Sequence, residues 1–320
     1  MLKTLSRIAA AAASALLAAA SAQAFPDKPI TLIVPFGAGT SVDANGRDLG
    51  QALNALGKVT AVVDNRAGAE GTIGAMAVLN APADGHTLMV TSSSIPVLDP
   101  LVRKGMQFDP VKDFTPICAM SRTSNVINIT GSNPIKNAAE LIAADKANPG
   151  KLTFAYSSAT TRLAGELFAQ ASGIKLTAVP YKASAAGLTD MASGVVDLFF
   201  IDHVSVGPLL QSNKARALAV SGDKRVGSLP NVPNAREIGV PGYNIQPWFG
   251  VYVSSKTPPA VVAQVRDLVM QALNTPTTKA TLERRGQDPI LVCGDAMAKF
   301  QAEEIELWRG VLKKAGIEPQ

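Results

Sequence analysis

Ile30-Thr-Leu-Ile-Val34-Pro35-Phe36-Gly37-Ala38-Gly39-Thr40-Ser41-Val42-Asp43 holds the change of period that decides the fold. Ile30–Val34 is a continuous, β-branched apolar run, the pattern of a strand buried on both faces. A glycine-containing loop follows. From Val42 to Leu56 the apolar residues return at helical spacing, and Gly57 stops the helix. A second strand over Val59–Val63, a short helix over Gly71–Leu79 and a third strand over Leu88–Thr91 complete a βαβαβ unit. That order means a parallel sheet covered by helices on both faces. Ligands of such sheets bind outside the carboxyl ends of the strands.

The alternation continues. Strands are predicted at Phe114–Ala119, Val126–Thr130, Leu152–Ala155, Leu176–Val179, Val196–Ile201 and Ala215–Val220. Helices are predicted at Ala138–Ala147, Arg162–Ala171, Ala185–Met191 and Val204–Gln211. Gly222 to Pro247 is a proline-punctuated loop. A strand over Trp248–Val253 and helices at Ala260–Leu273, Pro276–Arg285 and Ala296–Lys314 end the chain. So many elements suit two lobes better than one sheet, with crossings near Cys118 and near Phe249. Trp248 and Phe249 are expected to pack at the hinge, with a ligand platform as the alternative.

The 320 residues are 47% hydrophobic and 17% charged, which excludes a disordered chain. Lys3 and Arg7, the apolar run Ile8–Ala20 and Ala22-Gln23-Ala24 have the form of an export signal cleaved after Ala24. The apolar stretch is too short to span a bilayer. Losing Lys3 and Arg7 lowers the net charge from +5 to +3. No Lys/Arg stripe suggests nucleic acid, and the mild excess suits a small anion. Cys118 and Cys293 would join as one disulfide if they meet in the fold, or remain two buried thiols; the sequence leaves both open.

Catalytic patterns are missing. The chain has two histidines, His86 and His203, and lacks a G-x-S-x-G elbow, a Walker motif or clustered metal ligands. His86 reads as a turn or surface residue. Gly37-Ala-Gly39 lacks the third glycine of a dinucleotide turn, with Val42 in its place. The post-strand loops are instead rich in Gly, Ser and Thr: Phe36–Asp43, Asp64–Gly68, Thr91–Ser94 and Tyr156–Thr161. Glycines let backbone approach a ligand, and free N–H groups at a helix start favour an anion.

At these loops the sequence resembles the Bug-type periplasmic solute receptors of tripartite tricarboxylate transporters. The resemblance runs through Phe25-Pro-Asp-Lys-Pro-Ile30, Val34-Pro-Phe36, Asp64-Asn-Arg-Ala-Gly68, Ile73-Gly-Ala75, Phe108-Asp-Pro-Val-Lys-Asp-Phe114, Leu163-Ala-Gly-Glu-Leu-Phe168, Val179-Pro-Tyr-Lys182, Leu229-Pro-Asn-Val-Pro233, Pro241-Gly-Tyr243 and Trp248-Phe-Gly250. It implies an α/β fold of the type II periplasmic-binding architecture: two lobes, mainly parallel sheets and two crossing hinge strands. Residues 1–24 would be the signal, 25–121 with 248–320 the first lobe, and 122–247 the second. It also implies capture of a small organic mono- or dicarboxylate, delivery to membrane transporter subunits, a monomer in the periplasm, and no cofactor, metal or nucleic acid.

Carried over position by position, the resemblance places Phe36, Gly37, Ala38, Gly39, Thr40, Ser41 and Asp43 around one end of the ligand, with Ser93 nearby. Ser157, Ser158, Thr160, Thr161, Lys182, Ala183, Ser184, Asp202 and His203 come from the second lobe. The family's first loop is usually Pro-Phe-Pro-Pro-Gly-Gly, where this chain has Pro35-Phe36-Gly37-Ala38-Gly39-Thr40. The acid-then-Asn pair that often ends the Val196 strand is here Ile201-Asp202, followed by His203. Arg162 stands where many members have another polar residue, either against a substrate carboxylate or in solvent. Two alternatives remain: an exported hydrolase with Ser157 or Ser184 activated by His203 beside Asp202, and a receptor that presents its ligand to a sensor kinase.

Overall fold

The computed structural model describes residues 25–319, and the predicted export signal lies outside the described residues. The chain runs β1 (Ile30–Val34), α1 (Ser41–Ala55), β2 (Ala61–Asn65), α2 (Thr72–Leu79), β3 (Thr87–Ser92), α3 (Asp99–Val102), β4 (Phe114–Arg122) and β5 (Asn125–Thr130). It continues through α4 (Ala138–Ala147), β6 (Thr153–Tyr156), α5 (Ala159–Ser172), β7 (Thr177–Pro180), α6 (Ser184–Ser193), β8 (Leu198–Asp202), α7 (His203–Gln211) and β9 (Ala215–Val220). It ends with β10 (Trp248–Ser254), α8 (Pro259–Leu273), α9 (Pro276–Arg284), β11 (Asp288–Cys293) and α10 (Asp295–Ala315).

There are two sheets, ordered β11-β4-β10-β3-β1-β2 and β7-β6-β8-β5-β9. β1 pairs in parallel with β2 and β3, and β6 with β7 and β8. The expectation of mainly parallel sheets holds for these wound cores and fails elsewhere. β10 runs antiparallel between β3 and β4, β11 pairs antiparallel with β4, and β5 pairs antiparallel with both β8 and β9. The reversal follows from the connections. β4 passes into β5 through Thr123 and Ser124 alone, too short for the crossover that adds a parallel strand within one sheet. The chain therefore changes sheets there, and it returns at Trp248.

Three elements differ from the sequence reading. α5 begins at Ala159 rather than near Arg162 because Ser158 caps it in a reciprocal box with Thr161. β2 is displaced to Ala61–Asn65. β11 has no counterpart in the sequence reading. It is a half-exposed edge strand with Pro289 inside it, a register shift against β4 and a positive φ at Leu291, so the period-2 signal is lost.

β11 carries Cys293 opposite Cys118 of β4, and the two are joined in a disulfide spanning 175 residues of sequence. Trp248 is fully buried, packs on Phe300 and donates its indole N–H to Glu304 at 3.1 Å. It is a packing residue where the chain re-enters the first sheet. In the second sheet's core, Phe168 and Phe200 both meet Tyr243 edge-on. That contact ties the irregular segment after β9 to the lobe it crosses.

Candidate functional site

One cavity of about 40 Å³ lies where the two sheets face each other. Its walls are the first residues of four helices. Thr40, Ser41 and Val42 come from α1, Ser158, Thr160 and Thr161 from α5, Ser184 from α6, and Asp202 and Ser205 from α7. Phe36, Ser92, Asn125, Ile201, Pro247 and Phe249 complete the lining. No Lys, Arg or His is among these lining residues.

The α1 end is fixed by its own loop. Thr40 Oγ1 donates to the Gly37 carbonyl at 2.8 Å and accepts from the Asp43 N–H at 3.3 Å. Asp43 accepts from the Gly39 N–H and from Arg47 Nε, both at 3.0 Å. Burial opposes its charge, but the bonds from Arg47, Gly39 and Asn65 prevail and hold its carboxyl below the usual range. Gly39 has a φ of 81°, which closes this turn. A side chain at Gly39 would not block a ligand. Gly39 is exposed, outside the cavity lining, and a Cβ there would meet nothing within 4 Å. Its constraint is backbone conformation.

On the opposite wall, Thr161 Oγ1 accepts from the Ser157 and Ser158 N–H groups at 3.0 and 3.1 Å, so this hydroxyl is consumed in shaping the loop. Ser157 and Ser184 hydroxyls bond each other at 2.8 Å. Thr160 Oγ1 and Asn125 Nδ2 are buried and have no partner. Both residues line the cavity. A buried donor without a partner costs free energy, so these two groups are the wall's available ligand contacts.

The lobes touch directly across the cavity. Ser41 Oγ donates to Asp202 Oδ2 at 2.9 Å, and the Ser41 N–H donates to Ser205 Oγ at 3.1 Å. Asp202 also caps α7, accepting from the Ser205 N–H at 3.0 Å and the Ser205 hydroxyl at 2.9 Å. A cavity this size holds about two or three waters.

Of the residues singled out from the sequence, Phe36, Thr40, Ser41, Ser158, Thr160, Thr161, Ser184 and Asp202 line this cavity. Gly37, Ser157, Lys182 and Ala183 line an adjoining crevice. Ala38, Gly39, Asp43, Ser93 and His203 line neither. Ser93 instead gives its N–H to the Trp248 carbonyl at 2.7 Å, and its neighbour Ser92 reaches the cavity. His203 Nε2 donates to the Arg285 carbonyl, and Nδ1 lies 3.4 Å from Thr123 Oγ1. Its ring therefore bridges the lobes on the hinge side. Arg162 pairs with Glu166 one turn along α5, at 2.7 Å. His86 is buried rather than superficial, between Asp27 and Asp84. Both rings of the chain's two histidines are thus engaged away from Ser157 and Ser184.

Sequence reasoning missed Asn125, Ser205 and Pro247, whereas Val42 and Ser92 fall inside loops it singled out, Ile201 stands beside Asp202, and Phe249 lies in the hinge strand. Ser205 had a signal: Asp202 and Ser205 stand three apart at a helix start, the spacing of an N-cap side chain and the N–H that donates to it. Asn125 had none, because it reaches the site by lying directly opposite Asp202 in the β5–β8 pair.

The profile described as "Tripartite tricarboxylate transporter family receptor" matches residues 47–317. BugT of Bordetella pertussis is 32% identical over 309 residues, 95% of this chain and 94% of its own length. Among solved structures, R. palustris Rpa4515 with adipate is 34% identical with a TM-score of 0.85, covering 92% of this chain and 100% of that one. MatC (Rpa3494) from Rhodopseudomonas palustris, with bound malate, is 25% identical with a TM-score of 0.81, covering 90% and 100%. The chain belongs to the family of tripartite tricarboxylate transporter receptors.

Proposed function

We propose that this chain is an exported receptor, cleaved after Ala24, that captures a small organic carboxylate between two lobes and hands it to membrane transporter subunits. The lobes are residues 25–121 with 248–320, and residues 122–247. The observation that carries the reading is the convergence of four helix N-termini on one cavity whose lining contains no Lys, Arg or His. Each such end presents N–H groups and a partial positive charge, which together favour an anion. Val42 is the second residue of α1, so its N–H has no acceptor within the helix. Thr160 Oγ1 and Asn125 Nδ2 add side-chain donors. The adipate and malate found with the related proteins support the same ligand class.

Closure follows from the cross-cleft bonds. A ligand that docks on the α1 end in the open form becomes enclosed when Ser41 meets Asp202 and Ser205. The closed arrangement is what a transporter can distinguish from the open one. Both histidines are engaged elsewhere, which supports binding without turnover.

A thermal-shift screen of the mature protein against small organic acids tests the reading. A ligand at 100 times its dissociation constant adds about 2.7 kcal/mol of stability. A clear shift with at least one acid is expected. No shift with any acid, in folded protein free of carried-over ligand, overturns it.

A further inference from the structure

The four helix ends are not equivalent. Three of them, of α1, α5 and α6, reach the cavity with hydroxyls and N–H groups only. The fourth, of α7, already holds a carboxylate of the protein itself, that of Asp202, which is 7% exposed. Its Oδ2 accepts from two hydroxyls, Ser41 and Ser205, while Oδ1 accepts only the Ser205 N–H. A carboxylate oxygen accepts two bonds readily, so Oδ1 keeps a free acceptor direction. Asn125, directly across the β5–β8 pair from Asp202, carries the unpartnered Nδ2.

We propose that Asp202 is the specificity-determining residue of the cavity, and that the preferred ligand is a monocarboxylate carrying an ammonium group at its other end. The proposal rests on the carboxylate-receptor reading and narrows it. The ligand carboxylate takes the α1 and α5 ends, where no acidic side chain lines the cavity. The ammonium meets Oδ1 of Asp202. A second ligand carboxylate at that end would face a buried like charge within a few ångströms, with no lining cation to offset it. Diacids are therefore disfavoured here, whatever the relatives hold.

The test is calorimetric titration with matched pairs: succinate, glutarate and adipate against β-alanine, γ-aminobutyrate and 5-aminovalerate. Each amino acid replaces one carboxylate by an ammonium on a chain of similar reach. At least one amino acid should bind about tenfold or more tightly than its diacid, a difference of about 1.4 kcal/mol. Asp202→Asn removes the charge and keeps an oxygen to cap α7. It should lower amino-acid affinity and raise diacid affinity, moving the ratio by about tenfold or more. A diacid binding the native protein as tightly as its amino partner, or an unchanged ratio in Asp202→Asn, overturns the proposal and leaves the receptor reading standing. The native ratio is decisive even if the variant fails to fold. If no acid of either kind binds, both readings fail together.

Discussion

At the scale of single residues, Ser41 does two jobs with two atoms. Its N–H belongs to the positive end of α1, and its hydroxyl holds a carboxylate of the other lobe. Ser41→Ala keeps the first and deletes the second. A hydrogen bond to a charged group contributes about 1.5–3 kcal/mol. Closure should therefore be less favourable, and ligand affinity should fall roughly tenfold or more with little change in unfolding midpoint without ligand. Titration calorimetry beside urea unfolding separates the two; unchanged affinity would remove the Ser41–Asp202 bond from the closure step. Thr161 and Ser158 show the opposite case. Both line the cavity, yet their hydroxyls are occupied in their own loop.

At the scale of elements, the segment that was legible is the one whose period changes under its own local rules. β1 and α1 follow from the apolar run, the Thr40 cap and the helical spacing, and no distant residue is needed to place them. β11 was illegible because it is held by a neighbouring strand, with a proline inside and a bulge against β4. The cavity was half legible for the same reason. Loops after strands could be read in order, but Asn125 and Phe249 enter through pairings between strands far apart in the chain.

One short element carries a titration. Asp99 opens α3, is fully buried, and lies 3.4 Å from Arg103, which also contacts Glu70. Burial pushes the Asp99 carboxyl up to about 8, against the pull of Arg103. Its folded pKa thus exceeds its ordinary value of 3.8. The contribution to stability is fully present below that ordinary value and is lost as pH rises toward about 8, because the unfolded chain ionises first. Asp99→Asn should flatten this part of the pH profile. Urea midpoints at pH 5 and pH 8 should fall further for the native protein than for the variant; parallel falls would refute the assignment.

At the scale of the whole molecule, the disulfide ties an interior strand to the sheet edge. It closes a loop of 175 residues that contains the entire second sheet. Constraining so long a loop in the unfolded chain stabilises the native state by about 2–5 kcal/mol. Replacing both cysteines by serine should lower the unfolding free energy by that amount in oxidising buffer, and reductant should lower the midpoint of the native protein but not that of the variant.

β10, which lies between β3 and β4, has a consequence for how the chain is made. Every strand of the second sheet lies between residues 125 and 220, so that sheet has all its partners once that stretch has emerged. The first sheet does not. β3 and β4 are both present by residue 122, yet the strand that separates them starts at residue 248. During synthesis and translocation the earlier-made strands must therefore wait for the later-made ones, with an open slot at the middle of their sheet. The order of emergence makes the second lobe the first that can finish, and the first lobe the last.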